Sequence, residues 1–331
     1  MVRIEEIILK GLRKIYLTTI GKLEKNVKSV VTVPDDASDI IYSVLSSNQP
    51  CMIARFGSTE LNAIVNYMAV ADSRHSVIDF ITGRQYQWWW NDLGIEQMET
   101  HSGFFPSNKE TISKFSEMMF QEVAECDVLL SWQRNEQLLY PRMKPNLILT
   151  ELLASEPWWG KRPWSRVLKG KHVLVVHPFS ELIESQYYNH REELFPGTDV
   201  LPEFASLRTV KAVQSLGGSN GQGFHDWFDA LEWMKKEMDK QDYDIALIGC
   251  GAYGFPLAAY AKRCGHQAFH MGGVLQLLFG IKGKRWEYPN YGEKELHEGG
   301  KYLKMFNDKW VYPSVSDRPA NASNVEGACY W

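Results

Sequence analysis

Residues Tyr243–Glu287 read YDIALIGCGAYGFPLAAYAKRCGHQAFHMGGVLQLLFGIKGKRWE. Ile245–Ile248 form a short continuous apolar run, which predicts a parallel strand covered on both faces. Gly249, Gly251 and Gly254 come next as G-x-G-x-x-G, with Tyr253 inside the motif. There the missing side chains permit a tight turn and let backbone N–H groups approach a phosphate at the start of a helix. Pro256 suits the first turn of that helix, where its absent N–H is not needed. Leu257, Ala258, Ala261 and Lys262 carry the helix to a stop near Gly265. A second strand, Gln267–His270, ends in Gly272 and Gly273. Strand, glycine turn, helix and strand in this order predict an α/β, Rossmann-like fold with a mostly parallel sheet flanked by helices.

A site for NAD places a carboxylate about 20 residues beyond the glycines to hold the ribose hydroxyls. Here that strand ends in His270 and Met271, so the second half of the fingerprint is missing. The chain turns cationic instead: Lys282, Lys284 and Arg285 stand beside Trp286, a set suited to neutralising a diphosphate. The same residues also read as a solvated basic loop after an ordinary strand-turn-helix. A NAD-dependent oxidoreductase is the competing enzyme class, resting on the glycine motif alone.

A chain of 331 residues with 44% hydrophobic content can bury a large core. Its formal charge of −4 argues against a general nucleic-acid binder. The five cysteines are odd in number and scattered, without C-x-x-C or zinc spacing, which points to a reducing compartment. No apolar segment has the length of a secretory signal or a membrane span, so a cytoplasmic location is expected. Before Val30, Ile4, Ile7, Ile8, Leu12, Ile15, Ile20 and Leu23 face Arg3, Lys10, Arg13, Lys14, Lys22, Lys25 and Lys28. That pattern suits a helix lying on an anionic surface at the inner face of a membrane, and also a helix packed on the body or on a second subunit. Residues 1–33 therefore form an amphipathic segment. Residues 34–331 form the main domain, readable as two lobes at about 34–168 and 169–331.

Strand, glycine turn and helix recur earlier in the chain. Cys51–Arg55 is a strand, Phe56-Gly57-Ser58-Thr59-Glu60 a turn, and Leu61–Tyr67 a helix. Arg55 at a strand end can reach a phosphate, and Glu60 in the first helical turn is placed to bind a metal or to favour the helix dipole. Ser58 or Thr59 capping the helix with Glu60 in support is the plainer alternative. Trp88, Trp89 and Trp90 are either a stacking platform for a sugar acceptor or core packing. Further strands are expected at Asp127–Ser131, Asn146–Thr150 and His172–Val176. The last empties into His177-Pro178-Phe179-Ser180 at the edge where open α/β sheets bind ligands, so His177 is a candidate base or phosphate ligand and Ser180 a hydroxyl at the same place. Lys109–Val123, Ile183–Leu194, Thr209–Leu216 and Trp227–Lys240 read as helices, and Gly217–Gly223 as a polar loop.

Arg55-Phe56-Gly57-Ser58-Thr59-Glu60 resembles the R-F-G-D-G-E signature of GT-D-type glycosyltransferases. His177-Pro178-Phe179, Ala246–Pro256, Gly272–Arg285 and the ending Glu326–Trp331 look like their longer relatives from bacterial surface-polysaccharide gene clusters. The resemblance implies a Rossmann-like domain that takes a nucleotide-diphosphate sugar, a UDP-sugar first, and passes the sugar to a glycan or lipid-linked acceptor. The nucleotide sugar is then expected at Arg55, Gly57, Ser58, Ser180, Gly249, Gly251, Tyr253, Gly254, Gly272, Gly273, Lys282, Lys284 and Arg285, with Gly249–Gly254 and Lys282–Arg285 holding the diphosphate. Glu60 ahead of His177 is then the base. In that family a D-x-E pair assists a divalent cation, Mn or Mg. This chain has Ser58 in place of the Asp, which leaves Glu60 as the remaining metal-binding carboxylate and suggests, as an alternative to a transferase, a non-catalytic member that binds a nucleotide sugar or glycan.

Overall fold

The structure, a computed structural model, describes residues 4–20, 29–215, 223–314, 317–318, 321–324 and 327–331. Arg3, the basic stretch Lys22–Lys28 and the polar loop up to residue 222 lie outside the described residues. The strands are β1 (Val30–Val31), β2 (Cys51–Ala54), β3 (Val128–Ser131), β4 (Ile148–Glu151), β5 (His172–His177), β6 (Ser206–Lys211), β7 (Ile245–Ile248) and β8 (Gln267–His270). The helices are α1 (Ile4–Thr19), α2 (Pro34–Ser46), α3 (Ser58–Ala71), α4 (Val77–Thr82), α5 (Asp92–Ser102), α6 (Lys109–Glu122), α7 (Ser180–Leu194), α8 (Trp227–Asp239), α9 (Gly254–Arg263), α10 (Leu275–Leu278), α11 (Glu293–Leu296) and α12 (Lys301–Met305).

The strands form a single parallel sheet in the order β1-β4-β3-β2-β8-β7-β5-β6. From β2 the chain steps outward through β3 to β4. From β5 and β6 it steps back inward through β7 to β8, which closes onto β2 with Cys51 opposite Gln267 and Ile53 opposite Phe269. The direction of winding reverses there, and such a reversal opens a crevice at the carboxyl ends of the strands. β1 falls within the amphipathic segment 1–33 and pairs with β4, so the sheet begins before residue 33.

Both faces of the sheet are covered, and this explains the continuous apolar runs in its strands. Met52, Ala54, Leu129, Leu174, Val176, Ala246 and Ile248 face one core, with α3, α6, α8 and α9. Cys51, Ile53, Val128, Leu130, Val173, Val175, Ile245, Leu247 and Phe269 face the other, with α2, α7, α10 and the C-terminal aromatics. The helix after the G-x-G-x-x-G turn is tied at its far end, where Lys262 Nζ donates to Asp127 Oδ2 and to Glu125 O, both at 2.6 Å. No helix among the described residues is long and apolar enough to cross a membrane.

One segment departs from the sequence reading. Thr209–Leu216 is expected as a helix; Thr209–Lys211 instead form the end of β6, which pairs with β5 from Ser206 to Lys211, and Leu216 lies outside the described residues. Leu207 packs into one core and Val210 into the other. Within the expected helix, Val210 on the strand and Val213 just beyond it stand three apart and imitate a helical repeat.

Candidate functional site

Seven strand ends open into one cavity of about 450 Å³, the size class of small-molecule sites. Arg55 follows β2, Trp132 follows β3, Leu152 follows β4, His177 ends β5, Val213 lies just beyond β6, Gly249 follows β7 and His270 ends β8. The first turn of α3 (Ser58, Thr59, Glu60) also lines the cavity, and its N-cap, Gly57, gives that turn no side-chain cap.

The Arg55–Glu60 turn is held from β3. Trp132 Nε1 and Gln133 Nε2 both donate to Phe56 O, at 3.0 and 3.2 Å. Their own loop is fixed by the buried Glu136, which accepts from Ser131 Oγ at 2.5 Å and from Trp132 and Gln133 N–H at 3.2 and 3.1 Å. Burial pushes the Glu136 carboxyl up, against the pull of those bonds. Arg55 lays its guanidinium over the Trp132 ring, 5.4 Å from its centroid, and its stem against Gly272. The Glu60 carboxylate folds back over Gly57. A Cβ on Gly57 would stand 1.7 Å from Glu60 Oε2, so glycine is what lets the carboxylate occupy this position.

The opposite wall comes from the end of the chain. Arg285 donates from Nη1 to Tyr330 OH at 3.1 Å, stacks 4.7 Å from the Tyr330 ring centroid, and reaches Cys329 Sγ at 3.2 Å. Gln276 Nε2 holds Tyr330 O at 3.2 Å, and the Tyr330 ring lies on Gly273. Arg55 and Arg285 therefore flank the Gly272–Gly273 turn, and both act electrostatically on the half-buried Tyr291 phenol.

Two neutral histidines complete the floor. Phe179 N–H donates to His177 Nδ1 at 3.0 Å, and burial pushes the His177 pKa down to about 3. A neutral imidazole whose Nδ1 accepts carries its proton on Nε2, so the free nitrogen of His177 is a donor and not the acceptor a base needs. His270 has the reverse arrangement. Its Nδ1 lies 3.3 Å from Ile248 O, a group that only accepts, which leaves Nε2 with the lone pair. Burial first and then the Arg55 charge push its pKa to about 3. The His270 ring also fills the space over Gly254, where a Cβ would come within 2.1 Å of it. The third glycine of the motif thus serves helix-on-strand packing, while Gly249, Gly251 and Tyr253 line the cavity.

Of the candidates read from sequence, Arg55, Gly57, Ser58, Glu60, His177, Gly249, Gly251, Tyr253, Gly272, Gly273 and Arg285 converge on the cavity. Gly254 and Ser180 are buried behind it. Lys284 is exposed away from the lining, and Lys282 points its ammonium at the Phe306 and Tyr312 rings, 5.8 and 5.2 Å from their centroids. The cationic loop therefore presents only Arg285 to the cavity. Trp88, Trp89 and Trp90 are packing residues outside the lining: Trp88 stacks on His75 at 5.2 Å, Trp89 tilts on Phe80 at 5.3 Å, and Trp90 lies 6.3 Å from Tyr67. The residues around Glu60 do not make a cation cage. Among the described residues no group of three His, Cys, Asp or Glu includes it, and the one such group, His225, Asp226 and Asp229, is outside the lining. Sequence reasoning missed Trp132, Gln276, Tyr291, Glu295 and the side chains of Tyr330 and Trp331. The aromatic ending of the chain was the one available signal for the last two.

No family model and no curated protein matches this chain. Among solved structures it is similar to one described as a new glycosyltransferase (DUF1792) from Streptococcus sanguinis, at 10% identity over 88% of this chain and 96% of that one, with a TM-score of 0.39. It is also similar to a selenomethionine-substituted structure of domain of unknown function 1792, at 12% identity over 93% of this chain and 99% of that one, again with a TM-score of 0.39.

Proposed function

We propose that the cavity binds a nucleoside diphosphate sugar, a UDP-sugar first, and transfers the sugar to a hydroxyl of a glycan or lipid-linked acceptor. The observation that carries this reading is the convergence of Arg55 and Arg285, each stacked on an aromatic ring, on the Gly272–Gly273 turn at the carboxyl edge of the sheet. Two guanidiniums with the α3 N-terminus suit a diphosphate, both bound and as it departs. In the transfer the acceptor oxygen bonds to the anomeric carbon, and the bond from that carbon to the phosphate oxygen breaks with its electron pair leaving on the diphosphate. Glu60 takes the acceptor proton. His177, as an Nε2–H donor, binds a sugar or phosphate oxygen. Arg55 and Arg285 supply the positive charge in this reading, and no group of three His, Cys, Asp or Glu among the described residues includes Glu60.

Titration calorimetry with UDP tests the reading. Arg55→Ala and Arg285→Ala should each weaken binding about 10- to 100-fold, the worth of a charge-assisted bond. In thermal unfolding, UDP at about a hundred times its dissociation constant should add roughly 2.7 kcal/mol, and NAD should add nothing. Equal stabilisation by NAD, or unchanged UDP affinity in both arginine variants, refutes it.

A further inference from the structure

Helix α1 turns apolar side chains in two opposite directions. Leu9, Tyr16 and Leu17 face the body with Arg13, which donates to Phe80 O and, at 2.8 Å, to Gln85 O, so that the helix packs along α4. The other face carries Ile4, Ile7, Ile8, Leu12 and Ile15, which are 46% to 76% exposed. At the helical repeat these five cover an arc of about 140°, centred opposite the docked face and wider than the seam of a two-helix coil. Val77 and Ile78 of the neighbouring α4 are also exposed, at 49% and 67%. Lys10 and Lys14 stand along one flank of the arc and Glu5 along the other. Residues 1–28 hold seven basic and three acidic side chains in a chain whose net charge is −4, so positive charge is concentrated at this end.

We propose that α1 seats the protein on an anionic lipid surface, lying in the interface with its isoleucine face among the acyl chains and its lysines at the headgroups. The width of the apolar arc and the charge segregation favour lipid over a second copy of the chain. Leu17 of α1 and Arg134 both crowd Gly83, and Arg134 follows closely on the cavity-lining Trp132, so α1 docks against the loop that leaves the cavity wall after β3. The seating itself does not depend on the transfer reading. Its use, to bring a lipid-borne hydroxyl within reach, does.

The test is sedimentation of the full chain with vesicles of phosphatidylcholine alone or mixed with phosphatidylglycerol, using wild type and the double variant Ile8→Glu, Ile15→Glu. Both positions are exposed, so the variant should keep the wild-type circular dichroism and melting temperature. Wild type should bind the anionic vesicles and be partly released by salt, and the variant should partition about a hundredfold less. Failure of wild type to bind, equal binding to neutral vesicles, or an unaffected variant overturns the proposal. So does light scattering that shows wild type as a dimer and the variant as a monomer, because a second copy then covers the face. UDP affinity measured alongside separates this result from the fate of the transfer reading.

Discussion

Glu156→Gln should change how stability depends on pH. Glu156 is fully buried, and its Oε2 accepts from Tyr302 OH at 2.6 Å, Trp159 Nε1 at 2.8 Å and Trp158 Nε1 at 3.0 Å. Burial outweighs these donors, with the Glu151 charge adding to it, and pushes the pKa from 4.5 to about 8. A carboxyl raised in the folded state contributes stability that is fully present below pH 4.5 and is lost as pH rises through 8. Between those values the folded chain keeps a proton that the unfolded chain releases, so unfolding free energy should fall by about 1.4 kcal/mol per pH unit, to a total of about 5 kcal/mol. Glutamine keeps the acceptor for the three donors and cannot ionise. Urea unfolding of wild type and Glu156→Gln at pH 5, 6, 7 and 8 should show the two diverging with pH, the variant being the more stable at pH 8. Parallel pH profiles would mean that Glu156 is ionised in the native state, and the reasoning fails.

Gly57→Ala has a backbone conformation any residue can adopt, with φ −70° and ψ 147°, but its methyl group must push the Glu60 carboxylate aside. Transfer should drop about 10²-fold with UDP affinity kept, and normal turnover in single-turnover assays would remove Glu60 from the role of base. Gly254→Ala drives a methyl group into the His270 ring and should cost about 1–3 kcal/mol, read as a lower melting temperature; an unchanged melting curve would show that the ring is free to move. Trp88→Ala should leave UDP affinity unchanged, because Trp88 packs on His75 and Phe80 outside the cavity; weakened affinity would place a ligand there after all.

The parallel strands were legible because burial on both faces leaves an unbroken apolar run, as in Ile245–Ile248 and His172–Val176. The edge strand β6 was not legible, since it holds one large apolar residue for each core, and Val210 with Val213 just beyond it stand at helical spacing. Arg55, Glu60 and the glycine turns could be placed at the cavity because a motif at a strand end keeps its position without knowledge of tertiary contacts. Lys282 and Lys284 were misjudged for the opposite reason: three cations within four residues look equivalent until backbone direction sends one to aromatic rings, one to solvent and one to the cavity. Trp132, Tyr291 and Tyr330 needed the sheet order itself, because only the pairing of β2 with β8 brings them to one place.

That pairing also governs the order in which the molecule can be completed. Cys51 and Gln267 are partners across most of the chain, so while the polypeptide is being synthesised the edge of β2 stays open until β8 arrives. An unpaired edge of four buried residues can recruit other strands, and contacts so distant in sequence form slowly. Arg285 is held by Cys329 and Tyr330, which come later still. A chain stopped short of its last residues would lose the contacts of Arg285 to Cys329 and Tyr330 and would also leave open the part of the second core that Ala328 and Trp331 fill.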